Sequence, residues 1–464
     1  MTGQAETRTG AVMAAIRARI ASRALATGER LPSIRGFATT MGVSPSTVVE
    51  AYDRLAAEGA IRARRGSGFY VSGAVPPFAL AEATPPQDRA IDPFWVSRQS
   101  LDAGAEMSTP GCGWLPPDWM PNDAIRRALR RLARADDAVL ANYGGTRGAA
   151  TLRAILARRF AAEGIEVGAE RILLTSSGTQ AIDLVCRYLL QPGDTVLVDD
   201  PCYFNFRALL RAHRAKIVGI PYGATGPDPD AFAAILAQHR PRLYVTNSAL
   251  QNPTGATLAP QTAHRLLNAA AAHDLTIVED EIFADFEPEP SPRLAALDGL
   301  GRVVRIGSFS KSVSASVRCG YVVARGDWIE DLLDLQVATA FGGPSPVAAE
   351  LVAGVLADGG YRRHLDALRL RLSRARRSVA ARLESLGIRP WIVPRGGFYL
   401  WCRLPDGLDA ADVARRALVE NVVLAPGDVF SVSHAAAGFM RFNVAQMGEA
   451  RVFAVLERAL RKAG

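Results

Sequence analysis

The chain has 464 residues, about three times the ~150-residue prior for a single domain, and so predicts more than one folded unit. A composition of 49% hydrophobic and 22% charged residues is ordinary for a globular protein, no stretch reaches the roughly 20 apolar residues of a membrane helix, and the opening MTGQAETRTG lacks an apolar signal core; a soluble, cytoplasmic protein is expected. The formal charge of +8 is uneven: residues 1–72 hold ten arginines against five acidic residues, which predicts a polyanion partner for that end.

In chain order, residues 10–57 predict three helices. Val12, Ile16 and Ile20 recur at helical spacing. Ser33 caps a second helix that Gly42 stops, and Ser44 caps a third whose apolar stripe is Val48, Val49, Tyr52 and Leu55. Residues 61–71 read as two short strands around a glycine-containing tip, a β wing after a helix-turn-helix. From about 74 to 105, prolines at 76, 77, 85, 86 and 93 and scattered polar residues predict a linker. Beyond it, strands at 171–174, 195–198, 216–220, 243–246, 276–278, 303–306 and 320–324 alternate with amphipathic helices, which predicts a mainly parallel α/β sheet covered on both faces. A smaller α+β portion is expected over roughly 345–464, so the domains expected are 1–73, 74–105 and 106–464.

A helix-turn-helix presents the N-terminus of its second helix to the DNA major groove. Here that end is Ser44-Pro45-Ser46-Thr47, with Arg35 on the preceding helix, Arg62, Arg64 and Arg65 beside the wing tip to neutralise phosphates, and Gly66 and Gly68 letting the wing bend. A protein-binding helical domain with a solvated arginine cluster would have the same composition. The run Gly28-Glu29-Arg30-Leu31-Pro32-Ser33-Ile34-Arg35, with Gly42-Val43-Ser44, Thr47-Val48, Ala51-Tyr52, Glu58-Gly59 and Arg65-Gly66-Ser67-Gly68-Phe69, resembles the GntR-type winged helix-turn-helix over about residues 10–72. That resemblance implies binding to double-stranded DNA, with Arg35, Ser44, Ser46, Thr47, Arg65 and Gly68 as contacts, to which the wing-tip position adds Arg64.

Five widely spaced cysteines without a CxxC argue against a disulfide framework or a cysteine metal site, six histidines show no metal-ligand spacing, and no metal is expected. Lysine is scarce: only Lys216, Lys311 and Lys462 occur among 54 basic residues. Lys311, in Ser308-Phe309-Ser310-Lys311 at the end of a predicted strand, is where partial desolvation would lower an amine's pKa and ready it for an aldehyde. Asp280 at another strand end could pair with a pyridinium nitrogen and keep it protonated. Asn252, in Gln251-Asn252-Pro253-Thr254-Gly255, could reach a ring hydroxyl; Ser177-Gly178-Thr179-Gln180 opens a helix whose amides suit a phosphate; Arg318 supplies a guanidinium, and Tyr203 could stack on a ring. Each residue taken singly also reads as a turn former, a cap, a solvated charge or core.

Together with Tyr143-Gly144-Gly145-Thr146-Arg147-Gly148 and Gly396-Gly397-Phe398, the set resembles the class I/II, fold-type I aminotransferases that use pyridoxal 5'-phosphate, over roughly 105–464. The resemblance implies a covalent Schiff base on Lys311, Asp280 at the pyridine nitrogen and Asn252 at the ring oxygen. It further implies a phosphate held by Gly178, Thr179, Ser308 and Arg318, beside Ser177 at the same helix start, and Tyr143 reaching a neighbouring subunit's cofactor in a dimer. Arg441, in Met440-Arg441-Phe442-Asn443, matches the arginine that receives an α-carboxylate. One departure stands out: where the family often has a tyrosine two or three residues after the aspartate, this chain has Ile282 and Phe283, which cannot donate to the ring oxygen. The departure predicts that cofactor binding survives that loss and that turnover suffers.

A GntR-like winged helix, a linker and an aminotransferase-like domain in this order resemble the MocR family of transcription regulators. That implies a head-to-tail homodimer whose second domain senses pyridoxal phosphate or its adduct with a small amino compound. The alternative is a working amino-acid aminotransferase with an accessory DNA-binding domain.

Overall fold

The computed structural model describes residues 7–21, 24, 25, 28–64, 67–72, 93–104 and 106–461. The chain divides into two compact units, Met1–Arg89 and Ala90–Gly464.

In the first unit, helices α1 (Arg8–Ala21), α2 (Ile34–Met41) and α3 (Pro45–Ala57) precede a hairpin of β1 (Ile61–Arg64) and β2 (Gly68–Val71). The helix boundaries follow from side-chain chemistry. Ser33 and Ser44 accept hydrogen bonds from the amides of Gly36 and Thr47, Pro45 occupies the first turn of α3, and Gly42 closes α2 in the left-handed region at φ 63°. Val12, Ile16, Phe37, Val48, Tyr52, Leu55, Ile61 and Val71 form one core, and the Tyr52 hydroxyl donates to Pro32 O at 3.0 Å. A four-residue strand pairs its mate in the register Arg64↔Gly68, as a wing requires.

The second unit opens with helix α4 (Pro93–Leu101). This corrects the expectation of a linker running to residue 105: Trp95 and Val96 are buried against Phe204, Trp401 and Phe430, so apolar packing overrides the proline and polar composition that read as a tether. The body is an eight-stranded sheet made of β3 (Ile172–Thr175), β4 (Thr195–Asp200), β5 (Lys216–Gly223), β6 (Gly226–Pro227), β7 (Leu243–Thr246), β8 (Thr276–Asp280), β9 (Val303–Ser308) and β10 (Gly320–Val323). Their order across the sheet is β3-β10-β9-β8-β7-β4-β5-β6; β5, β4, β7, β8 and β9 are parallel, and β10 runs antiparallel to both neighbours. Successive residues feed opposite faces: Leu174, Tyr244, Ile277 and Val303 enter one core and Leu173, Val245, Val278 and Val304 the other. Helices Ala150–Ala162 and Pro346–Leu356 cover the first face, and helices Gly178–Leu189 and Gly326–Ala340 the second.

A smaller lobe builds its own core on a four-stranded antiparallel sheet, in the order β11 (Arg389–Pro390), β12 (Tyr399–Arg403), β14 (Phe439–Asn443), β13 (Ala425–Pro426). It begins later than the expected residue 345. The long helix Gly359–Glu384 gives Tyr361 and Leu365 to the large-lobe core and Leu368, Leu372, Val379 and Leu383 to the small one, so the lobes part within that helix. The segment after α4 is stitched into the small lobe: Ser108 N donates to Asn421 O at 3.0 Å, Val423 N to Ser108 O at 2.9 Å and Gly111 N to Val423 O at 2.8 Å.

Candidate functional site

The carboxyl ends of β3, β8 and β9 converge with the start of the reversed β10, and a cavity opens there. In open α/β sheets that end of the strands is where ligands bind. Strand direction explains the lining: Asp280 is the last residue of β8 and Ser308 the last of β9, while Ser177 follows β3 and Asn247 follows β7.

All but one of the expected residues of this unit's site meet in the one cavity: Lys311, Asp280, Asn252, Tyr203, Ser177, Gly178, Thr179, Ser308, Arg318 and Arg441. Tyr143 does not. It is 84% exposed, and its ring lies 5.0 Å from the exposed ring of Phe341.

Burial sets the electrostatics. Asp280 makes no ion pair among the described residues, and its carboxyl is pushed up to about 7 by desolvation, held back by hydrogen bonds from the Ile282 amide (3.1 Å) and the Asn247 side chain. The Lys311 amine is brought down to about 8, chiefly by burial, with the charges of Arg441 and Arg318 adding to the fall. A buried carboxylate and a half-buried amine near neutrality suit a protonated pyridine ring and an aldehyde.

The anion end is built from the helix Gly178–Leu189. Ser177 caps it by accepting from Gln180 N at 3.0 Å, which leaves the amides of Gly178 and Thr179 at the positive end of the helix dipole. The approach is close: a Cβ added at Gly320 would stand 2.8 Å from Gly307 O and from Ser177 C, and 3.0 Å from Gly178 N. Arg318 is exposed, held in the left-handed region at φ 51°, and has no carboxylate partner among the described residues.

At the opposite side, Arg441 is 1% exposed. Its Nη1 donates to Asn252 Oδ1 at 2.8 Å and its Nη2 to Gly111 O at 2.7 Å, while its guanidinium lies over the rings of Tyr399 (4.3 Å) and Phe430 (4.7 Å). The Nε–H is buried without a partner, the donor a carboxylate would take. Because the Asn252 carbonyl oxygen is bound to Arg441, the amide of Asn252 is oriented with its N–H₂ free for a ring oxygen.

Sequence reasoning missed several lining residues. Gly111, Cys112, Gly113 and Trp114 carry no motif, yet a Cβ at Gly113 would sit 3.3 Å from the Tyr399 hydroxyl and 3.8 Å from Lys311 Nζ. Tyr399 thus brings a phenol near the amine, although Ile282 and Phe283 line the cavity where the family often has one. The i, i+4 spacing of Val96–Ser100 and Ser97–Leu101 in α4 could have flagged a helix face.

In the first unit, Ser44 and Ser46 are exposed and Thr47 half-buried at the start of α3, and Arg35 is exposed on α2; the Ser44 oxygen lies 2.8 Å from both the Ser46 and Thr47 hydroxyls. Arg64 is exposed on the wing and stacks over Tyr70 at 4.6 Å, and Gly68 adopts φ 103°, which favours glycine. Arg65 lies outside the described residues.

Comparison with known proteins defines the class first. Residues 117–458 match the model for aminotransferase class I and II, and residues 8–71 that for bacterial regulatory proteins of the gntR family. The chain is 31% identical to the HTH-type transcriptional regulator YdcR of Escherichia coli, over 94% of each chain, and 30% identical to YjiR of the same organism, over 90% of each. Its second unit superposes on LysN, the α-aminoadipate aminotransferase of Thermus thermophilus solved with N-(5'-phosphopyridoxyl)-L-leucine, with a TM-score of 0.72 and 28% identity, covering 79% of this chain and 95% of that one. The chain belongs to the MocR-type family, pyridoxal-phosphate-dependent transcription regulators that join a gntR-type DNA-binding domain to a class I/II aminotransferase domain. No helix among the described residues is long and apolar enough to cross a membrane.

Proposed function

We propose that the second unit works as the sensor of a cytoplasmic, DNA-binding homodimer, reading pyridoxal phosphate or its combination with an amino acid. The observation that carries this reading is the meeting of Lys311, Asp280, Asn252 and Arg441 in one buried pocket of a chain that also has a winged helix. When bound, the cofactor supplies an aldehyde for an amine and a ring able to draw electrons. Lys311 would bond that aldehyde, Asp280 would hold the ring nitrogen's proton, and Asn252 would donate to the ring oxygen. The Gly178 and Thr179 amides, Ser177, Ser308 and Arg318 would receive the phosphate, Tyr203 would pack on the ring, and Arg441 would bind the amino acid's carboxylate. In the DNA-binding unit, Arg35, Arg64 and Arg65 would neutralise phosphates, while Ser44, Ser46, Thr47 and the Gly68 backbone would meet the groove and its rim.

A ligand shifts the DNA-binding equilibrium only by preferring one arrangement of the dimer. Arg441 gives such a preference, because the carboxylate receiver stands on the small lobe and the amine on the large one. The exposed Tyr143, Phe341 and Leu140 support a second copy covering that face. The test is binding of the purified protein to its own upstream DNA at fixed salt, with and without pyridoxal phosphate, beside Lys311→Ala. The expected result is a cofactor-dependent change in affinity that the variant loses; a response that persists in Lys311→Ala would refute it. The second reading, a working aminotransferase, is favoured by the intact Arg441 and opposed by Ile282 and Phe283; an amino acid converted to its keto acid over many turnovers would establish it.

A further inference from the structure

Among the described residues four charged side chains line the pocket, and each has a task in the sensor reading: Asp280, Lys311 and Arg318 toward the cofactor, Arg441 toward a carboxylate. The wall formed by α4 has none. Val96 and Ser100 lie one turn apart on that helix, as do Ser97 and Leu101, and all four line the cavity. Ser100 is 5% exposed, and its Oγ is buried with no hydrogen-bond partner. A helical serine usually disposes of its hydroxyl toward solvent or a carbonyl one turn back. Burying a hydroxyl unsatisfied is unfavourable, and because Ser100 also lines the cavity, a turn of its side chain toward a bound ligand would supply the missing partner.

We propose that Ser100 is a specificity-determining residue, whose hydroxyl receives the uncharged, hydrogen-bonding end of an amino acid held through its carboxylate by Arg441. This rests on the sensor reading and deepens it by naming the ligand class. A hydroxyl can donate and accept but cannot neutralise a charge, and α4 places no ionised group among the described residues that line the pocket. A ligand with a neutral polar side chain satisfies the orphan; an apolar isostere leaves it unsatisfied. The position of α4 extends the consequence. Its Trp95 and Val96 pack with Phe430, the ring beneath the Arg441 guanidinium, so both contacts to the ligand rest on one apolar cluster.

The experiment uses the full-length protein loaded with pyridoxal phosphate. It is titrated with three isosteric pairs: L-serine against L-2-aminobutyrate, L-threonine against L-valine, and L-homoserine against L-norvaline. The readout is the cofactor's visible absorbance. In at least one pair the hydroxyl member is expected to bind about tenfold tighter than its methyl isostere. Ser100→Ala should bring that ratio close to one, and Ser100→Thr should restore it. Because the readout is a ratio within one protein, a general loss of stability does not mimic the result. Ratios within about twofold for all three pairs, or a preference that survives Ser100→Ala, would overturn the assignment of Ser100 alone. A loaded protein whose absorbance no amino acid perturbs would overturn amino-acid sensing and the assignment with it, and a protein whose spectrum is the same in Lys311→Ala would overturn the cofactor reading itself.

Discussion

Lys311 and Asp280 are displaced in opposite directions by the same burial, and each displacement has a sign in the cofactor-free protein. The Asp280 carboxyl, raised to about 7, makes the folded state hold more protons than the unfolded chain between the ordinary carboxylate value and 7, so stability falls as pH rises through that window. Asp199, buried where it accepts from Tyr244 and Thr246, is also raised to about 7 and adds to the same slope. Lys311, lowered to about 8, leaves the unfolded chain with the extra proton between 8 and 10.5, so there stability rises with pH. The kinetic consequence is easier to isolate. The neutral amine is the reactive form, so the initial rate of cofactor capture should rise about tenfold from pH 7 to pH 9 and then level off. A stopped-flow absorbance series checks it, and a rate still climbing toward pH 10.5 would mean that the amine is solvated like an ordinary lysine.

At the scale of elements, the cup proposed for the phosphate depends on how closely β10 lies against its neighbours. Gly320→Ala would drive a methyl group into Gly307 O, Ser177 C and Gly178 N, all backbone atoms that cannot swing aside. The expected cost is about 1–3 kcal/mol of stability, together with weaker cofactor binding; thermal unfolding with and without pyridoxal phosphate measures both, and a variant unchanged in each would show that the cup can widen freely. Gly320 also marks what the sequence could and could not disclose. The strands were legible because Leu173–Leu174, Ile277–Val278 and Val303–Val304 are paired apolar residues bounded by turns. The reversal of β10 was not, since an antiparallel strand buried on both faces has the same apolar run as its parallel neighbours. Site residues at strand ends, such as Asp280 and Lys311, were legible from position and chemistry. Ser100, Gly113 and Tyr399 were not, because they reach the pocket from elements whose placement depends on tertiary packing: α4 through Trp95 and Val96, and Tyr399 through the small-lobe sheet.

For the whole molecule, the exposed Tyr143 makes the proposed dimer a functional question. If its hydroxyl completes the pocket of a second copy, Tyr143→Ala and Lys311→Ala damage different halves of one shared site. Mixed by unfolding and refolding together, the two variants should recover about a quarter of the sites, because half of the dimers are then mixed and each contains one complete pocket. Cofactor absorbance and sedimentation of the mixture measure this; no recovery in a mixture that does form dimers would confine each pocket to a single chain.

The scarcity of lysine gives the buried amine a further use. A protease that cuts after lysine can divide this chain only at Lys216, Lys311 and Lys462, so digestion of the unfolded protein separates residues 217–311 from 312–462. Where borohydride has fixed the cofactor onto Lys311, the middle cut is blocked and a single fragment, 217–462, remains. The proportion of that long fragment records how many molecules held their cofactor at the moment of fixation, including in extracts where no spectrum can be read.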